Sequence, residues 1–139
     1  MDALAWMAII LGCAAVVDDL RRRIISNWIN LAAILAGLLY HGYRQGWRGL
    51  GTAICGALLG LAVFLICYCL GGMGGGDLKL MAAFGTLLGP GGILIAALLT
   101  CIIGGGIAAL CLLRNRAQRA IPYSPAIVLG AWLALLAGR

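Results

Sequence analysis

The sequence predicts an all-α fold embedded in lipid, a polytopic bundle of six transmembrane helices with its N-terminus outside. Three observations lead there. Of the 139 residues, 64% are hydrophobic and only 10% are charged, whereas a soluble domain carries roughly 25% charge and has most of its side chains near the surface. Six apolar runs recur along the chain, at 3–17, 28–43, 52–70, 78–89, 91–113 and 123–137. The basic residues fall in the gaps between those runs and are unevenly shared. At about 20 residues per span, this length holds at most six or seven crossings and no sizeable soluble domain. Nucleic-acid binding is excluded despite the net charge of +6, because it needs a continuous cationic face and these charges sit in short gaps.

The first run, 3–17, is long enough to reach across a bilayer and stops at Asp18-Asp19. The second follows Ser26-Asn27 and ends among Tyr40, His41 and Tyr43, whose aromatic rings suit a membrane interface. A gap holding Arg44, Trp47 and Arg48 leads to the third run, which carries Gly56 and Gly60; Gly85 and Gly89 in the fourth repeat that spacing. Two glycines four residues apart share one helix face and let backbones approach closely. Gly89-Pro90-Gly91-Gly92 divides the fourth run from the fifth, since Pro lacks an amide N–H and Gly weakens a helix. The sixth begins near Tyr123. Loops 18–27, 71–79 and 114–122 lie on one side and carry Arg21, Arg22, Arg23, Lys79, Arg114, Arg116 and Arg119, against Arg44, Arg48 and Arg139 on the other. The positive-inside rule makes the richer side cytoplasmic.

Acidic residues are scarce: Asp2, Asp18, Asp19 and Asp77, with no Glu. Ionisable groups at membrane depth are expensive and point to function, which singles out Asp18-Asp19-Leu20 at the inner end of the first helix and Gly74-Gly75-Gly76-Asp77-Leu78-Lys79 at the entry to the fourth. The six cysteines all lie in apolar runs and form no CxxC pair, so neither a zinc ribbon nor a redox motif is expected. No metal or organic cofactor is expected. His41 reads as interfacial, and Trp6, Phe64, Tyr68, Phe84 and Trp132 as lipid-facing or packing residues.

These two sites resemble the signatures of the type IV prepilin peptidases, aspartic intramembrane proteases with a GxGD motif. Gly74-Gly75-Gly76-Asp77 followed by Leu78-Lys79-Leu80 is similar to that motif and its continuation, and Asp19-Leu20 with Ile25-Ser26-Asn27 to the family's first signature, which selects Asp19 over Asp18. Ile121-Pro122-Tyr123-Ser124-Pro125-Ala126 resembles the start of the last helix in short members. Ser26 stands where the family usually has Pro, so a Ser N-cap is expected there. The cytosolic segment with paired CxxC motifs and N-methylating activity, known from long members, is absent. The resemblance therefore implies a single transmembrane peptidase domain over 1–139, of the short kind associated with tight-adherence (Flp-type) pili.

It further implies an endopeptidase of the bacterial inner membrane, acting at the cytoplasmic face on prepilins or pseudopilins with a basic leader and an apolar helix. Asp19 and Asp77 would be catalytic. Two close carboxylates cannot both ionise, so one takes a proton from water while the other, protonated, polarises the scissile carbonyl. The ends of the expected helices favour Asp77 as base and Asp19 as acid. Gly74, Gly75 and Gly76 would let an extended substrate backbone approach. Asp18 is either a solvated boundary residue or an attractor for the basic leader. Lys79, with Arg21 to Arg23, reads chiefly as a topology anchor beside the substrate. Two competing readings are a small ion-coupled transporter and a non-catalytic subunit of a pilus or secretion assembly.

Overall fold

A computed structural model of the protein describes residues 3–22, 26–69, 74–113 and 124–138. All four elements are helices: α1 (Ala3–Arg22), α2 (Asn27–Cys69), α3 (Gly75–Leu113) and α4 (Ser124–Ala137). Three are long and apolar enough to cross a membrane, namely α1, α2 and the Gly75–Leu110 part of α3. The described residues are all-helical, as a membrane protein's bundle is.

Four helices replace the six expected, because two of them bend sharply. A straight helix of α2's 43 residues would be about 65 Å long, more than twice the hydrocarbon core. Gly46 breaks it with φ 59° and ψ −138°, a conformation natural only to a residue without Cβ. The chain folds back there. A Cβ added to Gly49 would collide with the His41 carbonyl oxygen, and positions eight apart would be about 12 Å apart on an unbroken helix. Gly89, at φ 70°, does the same for α3, helped by Pro90. Gly60 lies within van der Waals reach of both Met81 and Ile93, which only a reversal of α3 allows. The arms 27–45, 47–69, 75–88 and 90–113 thus follow the four apolar runs expected there. Where an interfacial loop was expected between 43 and 52, helix continues on both sides of a single glycine. That keeps backbone amides paired beside the membrane.

The core is built around arm 75–88. Residues Leu80 to Leu87 are all buried in succession, so this arm has neighbours on every side instead of one packed stripe. Glycine makes that possible. Gly56 and Gly85 meet backbone to backbone, Gly60 lies against the Met81 carbonyl, and Gly37 against Thr86, so the two GxxxG stretches are each other's partners. Thr86 Oγ1 donates to the Ala83 carbonyl at 2.7 Å and reaches the Ala33 carbonyl of arm 27–45 at 3.3 Å. On the other side, Gly130 of α4 packs on Thr100. Gly12 of α1 packs on Val128, and Trp132 Nε1 donates to the Ala8 carbonyl at 3.1 Å. Phe64 and Phe84 are core residues, while Trp6 and Tyr68 are exposed.

His41, expected at the interface, also makes a contact between helices. Its Nε2 lies 3.0 Å from the Leu87 carbonyl, next to the Gly89 break, and its ring meets Tyr40 edge to face. It joins α2 to α3 where the break disturbs the helical hydrogen bonding of α3. Tyr43 and Trp47 project fully from the surface beside the Gly46 bend.

Candidate active site

The carboxyl end of α1 and the amino ends of α2, α3 and α4 meet at one end of the bundle, as their cross-helix bonds show. In α1 the buried positions are Ala5, Ala8, Gly12, Ala15 and Asp19. Asp19 continues the three- and four-residue spacing of the inward face, and is 9% exposed. Asp18 is rotated about 100° away from it. Packing therefore distinguishes the two aspartates by burial, independently of the motif.

Ser124, the first residue of α4, donates its hydroxyl to Asp19 Oδ2 at 2.5 Å, and is itself 0% exposed. Sequence reasoning passed over this residue. A hydroxyl in an apolar stretch carries no signal of its own, and its partner lies 105 positions away. The short family-like stretch around it was the one available hint; its residues 121–123 lie outside the described ones.

Asp77 occupies the third position of α3, with Gly74 as the capping residue. Gly74 C=O accepts from the Leu78 N–H at 3.3 Å, and the Asp77 carboxylate lies beside Gly74. The two residues have the spacing of a capping box. Asp77 and Asp19 are close enough for their charges to interact, so the structure brings together the two aspartates that the motifs singled out separately. The expected contrast between helix ends is weaker than the sequence implied. Asp77 lies at an amino end, but the amino end of α4 also faces Asp19 through Ser124.

The other expected residues take distinct places. Asp18 Oδ2 accepts the Ser26 N–H at 2.9 Å, and its Oδ1 lies 3.7 Å from Arg22 Nε. Ser26 does sit at the cap of α2, its carbonyl accepting from the Ile29 N–H at 3.1 Å. The bond that ties it down uses its backbone N–H, which a proline at this position would lack. Lys79 Nζ donates to Asn27 Oδ1 at 3.3 Å, linking the starts of α3 and α2. Gly74 and Gly75 are exposed and Gly76 half-buried. They cap and open a helix and are not a free loop as expected, and a Cβ on Gly74 or Gly75 would make only ordinary contacts. Gly71, Gly72, Met73, Arg23, Arg114, Arg116 and Arg119 lie outside the described residues. Among the described residues no group of three or more His, Cys, Asp and Glu side chains could hold a metal.

Comparison with known proteins points the same way. The model of the type IV leader peptidase family matches residues 5–109. A prepilin leader peptidase/N-methyltransferase of Aeromonas hydrophila is 34% identical over 145 residues, which cover 97% of this chain and 48% of that protein. Proteins of the same name from Bacillus subtilis and Xanthomonas campestris pv. campestris are 33% and 30% identical, covering 88% and 94% of this chain and 50% of each relative. The chain spans about half the length of the curated relatives it matches. No solved structure matches it. The matched residues include Asp19 and Asp77 and most of the bundle around them, and the chain belongs to the type IV leader peptidase family.

Proposed function

We propose that the protein is an aspartic endopeptidase of the bacterial inner membrane that removes the basic leader from type IV, Flp-like prepilins or pseudopilins at the cytoplasmic face. One observation carries this reading: Asp19 and Asp77, from two motifs 58 positions apart, stand within each other's field at a single end of the bundle. The relatives' shared name, prepilin leader peptidase, agrees with it.

In this reading the two carboxylates act as one unit that shares a proton. One withdraws a proton from water as the water attacks the scissile carbonyl, and the other donates a hydrogen bond to the carbonyl oxygen. Since amino ends of helices face both, the base and acid roles belong to the pair. Gly74 to Gly76 leave the approach to Asp77 free of side chains, which suits an extended substrate backbone. Lys79, held by Asn27, marks the cytoplasmic rim. The six straight segments cross the bilayer, with the N-terminus outside and the helix ends around the aspartates inside.

The test is cleavage of a prepilin with a basic leader and an apolar helix by the purified protein. Asp19→Asn and Asp77→Asn should each reduce cleavage to background with the folded amount unchanged. Full cleavage by either variant removes that residue from the mechanism. An inactive wild type would return the chain to the transporter or assembly-subunit readings.

A further inference from the structure

We propose that Ser124 is a positioning residue for proteolysis: its hydroxyl fixes the Asp19 carboxyl group by holding Oδ2, and so reserves Oδ1 for the substrate carbonyl and the shared proton. The inference rests on the reading of Asp19 and Asp77 as the catalytic pair, and goes beyond it by assigning a third residue, which lies outside the matched residues 5–109.

A serine opening a helix ordinarily turns its side chain back to accept an N–H of its own first turn. Ser124 does something else. Its hydroxyl donates across the bundle to Asp19 Oδ2 at 2.5 Å, with both residues buried.

The bond has a chemical consequence. A carboxyl group on the last turn of a helix can rotate about its terminal torsion, which has broad minima. An Asp19 free to rotate would spend part of its time with neither oxygen aimed at substrate. Accepting from Ser124 occupies one lone pair of Oδ2 and leaves Oδ1 with both of its own free. Oδ1 is then the oxygen that donates to the carbonyl or accepts from water. Because Ser124 begins α4 and shares the face that packs on α1 through Val128 and Trp132, the docking of α4 against α1 also sets this torsion.

The test measures kcat and KM on the prepilin substrate for Ser124→Ala and Ser124→Thr, with Asp19→Asn in parallel and the thermal transition of each detergent-solubilised protein recorded. Ser124→Ala should lower kcat by roughly ten- to a hundredfold, the size set by a hydrogen bond to a charged group, with KM unchanged. Its thermal transition should fall by a few degrees, as loss of a buried hydrogen bond requires, and stay above the assay temperature, so that the protein assayed is folded. Ser124→Thr should restore most of kcat, since it keeps the hydroxyl. Wild-type kcat in Ser124→Ala beside an inactive Asp19→Asn overturns the positioning role and leaves the dyad standing. So does a kcat in Ser124→Ala that returns to the wild-type value once scaled to the folded protein, which would make the bond structural. An active Asp19→Asn overturns the dyad itself, whatever Ser124 does.

Discussion

Asp18 and Asp19 are adjacent in the chain, yet one is bonded to the start of α2 and the other to the start of α4. A helix turns about 100° per residue, so neighbours on α1 must serve different elements. With the Ser26 N–H on one oxygen and Arg22 near the other, Asp18 is occupied in joining α1 to α2. An ion pair this exposed is worth about 1 kcal/mol or less, so the backbone bond is the part that counts. Asp18→Asn keeps an acceptor for that N–H. We expect it to fold normally and to cleave a basic-leader substrate with KM within about twofold of the wild type, a difference of about 0.4 kcal/mol at 1.4 kcal/mol per tenfold, because Asp18 is engaged by its own chain. A several-fold higher KM that disappears with an uncharged leader would give Asp18 the leader-binding role instead. Both aspartates at the site were legible in the sequence because acidic residues are so rare in this chain. Ser124 was not, because a serine among apolar residues looks the same whether its hydroxyl serves its own helix or a distant carboxylate.

At the scale of elements, glycine does two separate jobs that the sequence does not distinguish. Gly46 and Gly89 reverse the chain through positive φ. Gly37, Gly56, Gly60, Gly85 and Gly130 are helical and make room for a neighbouring backbone or side chain. Gly105 and Gly106 have nothing within 4 Å of an added Cβ. The positions of the apolar runs were readable from hydropathy. The bends were only half readable: Gly89 was flagged by the adjoining Pro90, whereas Gly46 lies among Arg44, Gln45 and Trp47, which look like a loop. The GxxxG pairs were visible as spacings, but their mutual contact was not, since spacing names a face and not its partner. Gly56→Ala places a Cβ against the Gly85 carbonyl, and neither backbone can retreat from the other. Overpacking of this kind costs about 1–3 kcal/mol. Gly105→Ala adds a Cβ into open space and exchanges a poor helix former for the best one, a gain of up to about 1 kcal/mol. Thermal unfolding in detergent should therefore show Gly56→Ala well below the wild type and Gly105→Ala at or above it.

For the whole molecule, the question is how the bundle sits in the bilayer. Arm 75–88 is about 21 Å long at 1.5 Å per residue, shorter than a hydrocarbon core of about 30 Å, while α1 with its 20 residues matches that core at about 30 Å. If the Gly89 bend reaches the far interface, Asp77 lies several ångströms inside the near one. There it would be screened from bulk water yet open to a substrate helix arriving from the side. The Gly46 bend carries the exposed Tyr43, Arg44, Gln45 and Trp47. The opposite end carries Arg21, Arg22 and Lys79, and is the cytoplasmic one in the proposed orientation. Single cysteines at exposed positions turn this into a measurement. Gln45→Cys should react with a membrane-impermeant maleimide in intact cells, and Arg22→Cys only after permeabilisation, each above the background set by the six native cysteines in the wild type. The opposite pattern would place Asp19 and Asp77 on the outer face, away from the cytoplasmic leader of an unprocessed prepilin. Reaction of both variants in intact cells would mean that α1 and arm 27–45 do not separate the two ends across a bilayer, and the six-crossing arrangement would have to be abandoned.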